Sequence, residues 1–420
     1  MSEKQSKGVI IAIVAMMFLF AMISFVTNMA APFGTIWKGQ YDWAGMMGNM
    51  MNFAAYLFMG IPAGMLISKY GYKKTVLVGL VLGFVGICVQ FLSSKVGAET
   101  PIFGGFMKLN FLVYLLGAFI CGFAVCVLNT VVNPMLNILG GGGNRGNQYI
   151  QIGGSLNSLS GTLTPMLAGV LIGEVTSNTS MVDVVPLLYI AMAVFALSFV
   201  IIYFTPLIEP EQEKGESMMS LVKGALGYKH LIFGVIAIFF YVGVEVGIPG
   251  EMIFYMDSIG IPNAIAIGGS IAAIYWLLML VGRFTSSFIS GKVSTRTQLV
   301  TVSSVALVLV LLAIFVPESN TIVLKGAEVP VKCLFLILCG LCTSVMWGGI
   351  FNLATEGLGK YTAAASGIFM TMVVGGGIMP LIQEALAGKI GYVMSYWLVV
   401  AMLAYMLWFA LFGSKPRQPK

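Results

Sequence analysis

Charge is scarce in this sequence. Only 9% of its 420 residues are Asp, Glu, Lys or Arg, against 59% that are apolar, and the mean hydropathy is +0.96. A soluble domain of this length needs far more charge to stay dissolved, so a soluble fold is excluded. Histidine is reduced to His230, and no His/Asp/Glu cluster, metal-ligand spacing of cysteines with that histidine, or nucleophile elbow stands in the chain. That argues against a membrane enzyme or a metal centre, and no cofactor is expected. The six cysteines all fall inside apolar segments and read as buried free thiols. A nucleotide loop is also missing: GGGGNRG at 140–146 has neither a Walker lysine after it nor a strand before it.

What remains is a series of apolar blocks, each able to cross a hydrocarbon layer that takes ~20 helical residues. Breaks at Gly, Pro and charge divide the chain into twelve spans. They lie near 9–33, 44–68, 75–93, 109–139, 148–173, 185–206, 231–257, 263–290, 298–316, 331–358, 363–388 and 391–413. The first is too long for a signal peptide and is expected to remain as a helix. The fold class expected is therefore all-α integral membrane. With both termini in the cytoplasm, 16 of the 22 Lys and Arg residues fall on the inner side, in keeping with the positive-inside rule. This bias accounts for the net charge of +6 without a nucleic-acid partner; lipid is the surrounding medium.

The halves resemble each other. NPMLNILG at 133–140 matches NLATEGLG at 352–359 with a shift of 219 residues, and the same shift brings GMLISKYGYKKT at 64–75 near GRFTSSFISGKVSTR. A six-span bundle at 1–207, a cytoplasmic linker at 208–230 and a second bundle at 231–420 are expected. Duplicated bundles suit a transporter that rocks about a midplane solute site.

At the same residues the chain resembles one branch of the major facilitator superfamily, the bacterial fucose–galactose–glucose permeases. The motifs are IPAGMLISKYGYKK in spans 2–3, LNTVVNPMLNILG in span 4, LNSLSGT in span 5, FFYVGVEVG in span 7, VGRF in span 8, and FNLATEGLGKYTAAASG with GGGIMP in spans 10–11. The resemblance implies uptake of a hexose (glucose, galactose or fucose type) coupled to H+ or Na+, by a monomer in a bacterial inner membrane. It also implies carboxylates where Asn28 and Asn129 stand and a glutamine where Gly154 stands. These departures keep an uncoupled facilitator open; Met-rich apolar walls keep a drug exporter open, and a sensor lacks any signalling domain.

Polar residues inside spans are costly and normally face the protein interior. Glu245 is the carboxylate placed well within a span, a candidate for sugar hydroxyls and for the coupling ion, or else a structural hydrogen-bonding acid. Tyr241 lies one turn before it on the same face; Glu251 lies nearer the outer end, where solvent can reach it. Asn129, Asn133 and Asn137 form one stripe along span 4, the first two as site candidates and the third as a gate residue; interhelical bonding is the plainer alternative. Gln151, Ser155 and Ser158 share a face of span 5, and Asn157 carries the family match. Asn28, just before Pro32, Asn52 in span 2 and Asn352 in span 10 complete the polar candidates. Trp276 and Trp347 suit stacking on a sugar or packing. Lys69, Lys73, Lys74, Arg283 and Glu356 are assigned to gates and topology.

Overall fold

The structure is a computed structural model that describes residues 3–41, 44, 47–172, 179–205, 207, 218–261, 264–324 and 327–416. Apolar composition and length dictate long helices: α1 (Glu3–Asn28), α2 (Ala30–Gln40), α3 (Met47–Leu92), α4 (Leu109–Leu139), α5 (Gly143–Ile172) and α6 (Val185–Phe204). A short α7 (Met218–Leu226) follows, then α8 (Lys229–Ser258), α9 (Ala264–Ile289), α10 (Thr295–Phe315), α11 (Val331–Thr355), α12 (Thr362–Thr371), α13 (Gly375–Ile390) and α14 (Tyr392–Trp408). Nine helical stretches among the described residues meet the length and hydropathy needed for a crossing. With α3 counted on both sides of its break, and α5 and α9 added, the chain makes the twelve crossings of the sequence reading.

Local chemistry explains where these helices bend. The chain turns sharply at Gly71, whose φ of 85° and ψ of 173° interrupt α3. An L side chain rarely adopts that φ, so the glycine in KYGYKK ends one crossing and starts the next. In α4, Pro134 has no N–H to give the carbonyl of Thr130, and the Ser366 hydroxyl of α12 donates to that carbonyl at 3.0 Å instead. α12 can lie this close because Gly367 faces Gly60, where an added Cβ would stand 2.7 Å from the Gly60 carbonyl oxygen. α10 starts on Ser294, whose Oγ accepts from the Thr297 N–H at 3.1 Å.

Two small hairpins were not foreseen. β1 (Pro101–Ile102) pairs antiparallel with β2 (Met107–Lys108), and β3 (Thr321–Leu324) with β4 (Ala327–Pro330). Each hairpin lies in the loop before a crossing, the first ahead of α4 and the second ahead of α11. Both hairpins are too short for a periodic signal.

The helices form two compact units. Unit 1 comprises Met1–Leu139, Leu159–Val222 and Lys360–Thr371; unit 2 comprises Gly140–Ser158, Lys223–Gly359 and Met372–Lys420. α5 therefore serves both, its first part in unit 2 and its second in unit 1. Of the linker expected at 208–230, residues 208–217 lie outside the described residues, and α7 covers much of the rest. Large apolar side chains such as Leu57, Phe58, Leu197, Val200 and Phe204 are exposed, as lipid-facing surfaces require. Inside unit 1 the buried rings of Trp37, Phe111 and Tyr114 cluster, with centroids 4.7 Å and 5.4 Å from Trp37. All six cysteines are free, including Cys339 and Cys342. Those two have C-x-x-C spacing on α11, an apolar helix without a partner metal cluster among the described residues.

Candidate solute-binding site

Unit 2 concentrates its polar groups around Glu245. α8 carries this carboxylate and, one turn earlier, the fully buried Tyr241. Arg283 of α9 places Nη2 3.4 Å from Glu245 Oε1, and both side chains are largely buried, at 9% and 14% exposure. A guanidinium in this setting needs oxygen on every side, because lipid offers none. Nη1 donates to Ser158 Oγ at 3.0 Å, to the Gly154 carbonyl at 3.2 Å and to Asn157 Oδ1 at 3.4 Å. Nε donates to the Ser344 carbonyl at 3.3 Å. Gly154 makes the space for this arrangement: a Cβ there would sit 3.2 Å from Arg283 Cδ. The resemblance implies glutamine at that position, and here the arginine fills the room.

Arg283 thereby departs from the gate and topology role expected of it. Its side chain turns inward and neutralises Glu245, a pairing hidden in the sequence by separation of the two residues into different spans. Glu251 also departs from expectation. It is 2% exposed rather than solvated, and its Oε2 has no hydrogen-bond partner among the described residues. The position of a carboxylate within an apolar run gave no sign of the helices packed over it.

Around the ion pair, Trp347 of α11 meets the Tyr241 ring edge-on with centroids 6.2 Å apart. Gln151 is buried and donates through Nε2 to the Val345 carbonyl at 3.1 Å. Asn157 is half-buried, while Ser155 bonds back to the Gln151 carbonyl at 2.9 Å. Two candidates lie elsewhere. Asn352 donates to the Gly143 carbonyl at the start of α5, 2.8 Å away, and Trp276 is 37% exposed with its ring edge-on to Tyr275.

In unit 1, Asn129 Nδ2 donates to the Tyr56 hydroxyl at 2.9 Å, and Asn133 Nδ2 donates to the Asn129 carbonyl at 2.9 Å. Both amides are buried, and Asn137 is half-buried further along the stripe. Asn28 turns its amide toward Ser24, 2.8 Å from the carbonyl and 3.1 Å from Oγ. A Cβ on Gly161 of α5 would lie 3.0 Å from the same Nδ2, so Asn28 faces that helix. Asn52 is buried, with no donor for its Oδ1 among the described residues.

The remaining gate candidates are peripheral. Lys69 lies over the Tyr70 ring at 5.0 Å, and Lys74 is exposed. Lys73 Nζ donates to the Thr205 carbonyl at 2.7 Å, capping the C-terminal end of α6, where a cation is favoured. The Glu356 side chain is exposed, while its carbonyl pairs with His230 Nε2 at 2.9 Å.

Chemically, unit 2 thus holds a charged pair ringed by amide, hydroxyl and carbonyl groups beside two aromatic rings. Such a set can exchange hydrogen bonds with hydroxyls and cover apolar C–H faces. A profile of the Major Facilitator Superfamily matches residues 9–379. A glucose/galactose transporter of Brucella abortus is 27% identical, over 99% of this chain and 96% of its own. A putative glucose/galactose transporter of Helicobacter pylori is 29% identical over 97% of each chain. Among solved structures, a fucose:proton symporter of Escherichia coli superposes with a TM-score of 0.80 at 20% identity, covering 97% of this chain and 100% of its own.

Proposed function

The chain belongs to the major facilitator superfamily of membrane transporters, and from that premise we propose that it imports a neutral hexose coupled to a cation. The curated relatives are named for glucose and galactose, and more distant ones for fucose, which supports a hexose of that group. The single observation that carries the reading within this chain is the buried Arg283–Glu245 pair with its collar of Asn157, Ser158 and Gly154. Paired charges leave the site neutral overall, which disfavours an ionic solute, yet keep strong donors and acceptors available to hydroxyls. Tyr241 and Trp347 offer ring faces for the sugar's C–H surface, and Glu245 remains a candidate for the coupling ion. In unit 1, Asn129 with Tyr56, and Asn28, are the groups proposed to meet the solute or its ion.

The halves 1–207 and 231–420 are proposed to expose the solute to each side of a bacterial inner membrane in turn. The protein acts as a monomer with both termini in the cytoplasm. Asn28 and Asn129 favour one alternative, an uncoupled facilitator, because an amide cannot bind and release a proton in the physiological range. Proteoliposomes separate the two. Radiolabelled glucose, galactose or fucose should accumulate above equilibrium under an imposed H+ or Na+ gradient. Equilibration without accumulation would leave the facilitator, and inertness toward all three sugars in folded protein would remove the hexose reading.

A further inference from the structure

In unit 2, α13 carries a glutamine whose amide cannot be turned around. Gln383 is fully buried, and its Nε2 donates to Ser395 Oγ of α14 at 3.4 Å. Ser395 spends its own hydrogen on the Tyr392 carbonyl at 2.7 Å, so it can only accept from Gln383. The amide oxygen is thereby fixed on the side that faces α8, where a Cβ on Gly247 would stand 2.8 Å from it. Yet this Oε1 has no hydrogen-bond partner among the described residues. A buried amide oxygen without a donor costs free energy, so a donor is expected here.

The register of the two helices shows which side chain stands next to it. Gly243 of α8 lies against Met379 of α13, and one turn on Gly247 lies against Gln383. A further turn sets Glu251 opposite the small Ala387, on the face that Gly247 leaves open. Long side chains on a helix lean toward its N-terminal end, which directs the Glu251 carboxyl back toward Gly247 and the Gln383 oxygen. Glu251 is 2% exposed, and its Oε2 is the second oxygen here without a partner among the described residues. One hydrogen placed between the two oxygens satisfies both.

We propose that this place is a proton-binding site, in which Glu251 stands as a carboxylic acid and donates from Oε2 to Gln383 Oε1. The groups around it give an ionised carboxyl no counter-charge. Glu384 of α13 is the charged side chain within electrostatic reach, and it carries the same sign. From α14 comes Tyr396, whose hydroxyl is spent on the Ile248 carbonyl at 3.0 Å, and the next turn of α8 brings Tyr255. The cations of the neighbouring helices are engaged elsewhere: Lys332 of α11 by Glu318 at 3.6 Å, and Arg283 of α9 by Glu245. The inference rests on the cation-coupled reading above and names its ion, H+, and its seat. Discharge breaks the Glu251 O–H bond, the proton passes to water, and the carboxylate keeps the electron pair. Glu245 suits this role less, because a proton there would strand the Arg283 guanidinium. The departures at Asn28 and Asn129 are answered as well: the titrating carboxyl lies in unit 2 instead.

The proton can be read without sugar. Infrared spectra of the purified full chain at neutral pH, where solvated carboxyls are ionised, should contain the C=O stretch of a protonated carboxyl. Difference spectra should show that band lost in Glu251→Gln and kept in Glu245→Gln. Gln383→Met, which removes the acceptor at similar volume, should move the band to higher frequency. A wild-type spectrum without a protonated carboxyl overturns the site even if every variant misfolds, as does a band that survives in folded Glu251→Gln. In proteoliposomes Glu251→Gln, which keeps an N–H donor for Gln383, should retain hexose counterflow and lose accumulation under a H+ gradient. Undiminished accumulation in that variant overturns the coupling role, and so does a wild-type chain that accumulates hexose with Na+ alone. A Glu251 band with all three sugars inert would sink the hexose reading and leave this proton site.

Discussion

Arg283 and Glu245 show what burial does to a single residue. Each alone is a charge that lipid penalises by several kcal/mol, and together they share the penalty. Removing one partner is therefore worse than removing both. Arg283→Gln should destabilise the protein by roughly 3–5 kcal/mol, because Glu245 is left without a counter-charge. Adding Glu245→Gln should recover a large part of that loss in thermal unfolding in detergent; a double variant no more stable than the single one would show that the pair has no energetic coupling. Glu245 was legible in the sequence as a lone carboxylate in an apolar run. Its partner was not, because Arg283 stands in another span, near residues whose basic charge fits a topology role equally well. Gly154 was noticed only as a departure from the family; the geometry gives it a purpose, as the space Arg283 occupies.

For the helices, breaks were easier to foresee than the repairs that accompany them. Gly71 in a basic turn announces the end of a crossing, and the observed φ of 85° accords with it. Pro134 announces an orphan carbonyl at Thr130, but nothing local says which group satisfies it. The donor is Ser366, 236 residues away in the chain, brought in by the close approach of Gly367 and Gly60. Ser366→Ala should lower stability by about 0.6 kcal/mol, the average for interhelical bonds in membranes, and by no more than about 1.7 kcal/mol. Thr371→Val serves as the control, because its hydroxyl bonds back to the Gly367 carbonyl within the same helix at 3.0 Å. Equal losses in the two variants, measured by thermal unfolding, would remove the special role given to Ser366. The hairpins 101–108 and 321–330 went unseen for a related reason: four or fewer residues per strand give no period to read.

At the scale of the whole molecule, the proposed orientation follows from the charge distribution: the positive-inside rule would put the loops carrying Lys69, Lys73 and Lys74 inside and the loop with Glu99 outside. In a chain whose six cysteines are replaced, Glu99→Cys should react with a membrane-impermeant maleimide in intact cells. Lys74→Cys should react only after permeabilisation; the opposite pattern would invert the topology.

Composition and hydropathy by themselves determined the medium and the number of crossings, because a bilayer imposes one length and one polarity on every spanning helix, and the motifs matched at a shift of 219 residues marked the repeat. Tertiary structure alone decided which polar groups meet. It turned Arg283 inward to Glu245, buried Glu251, spent Asn352 on the Gly143 carbonyl and left the buried oxygens of Asn52 and Gln90 without a hydrogen-bond partner among the described residues. The physical reason is that a hydrogen bond or ion pair is made at about 3 Å between side chains from different helices, and helix rotation and packing, rather than sequence spacing, bring those atoms together.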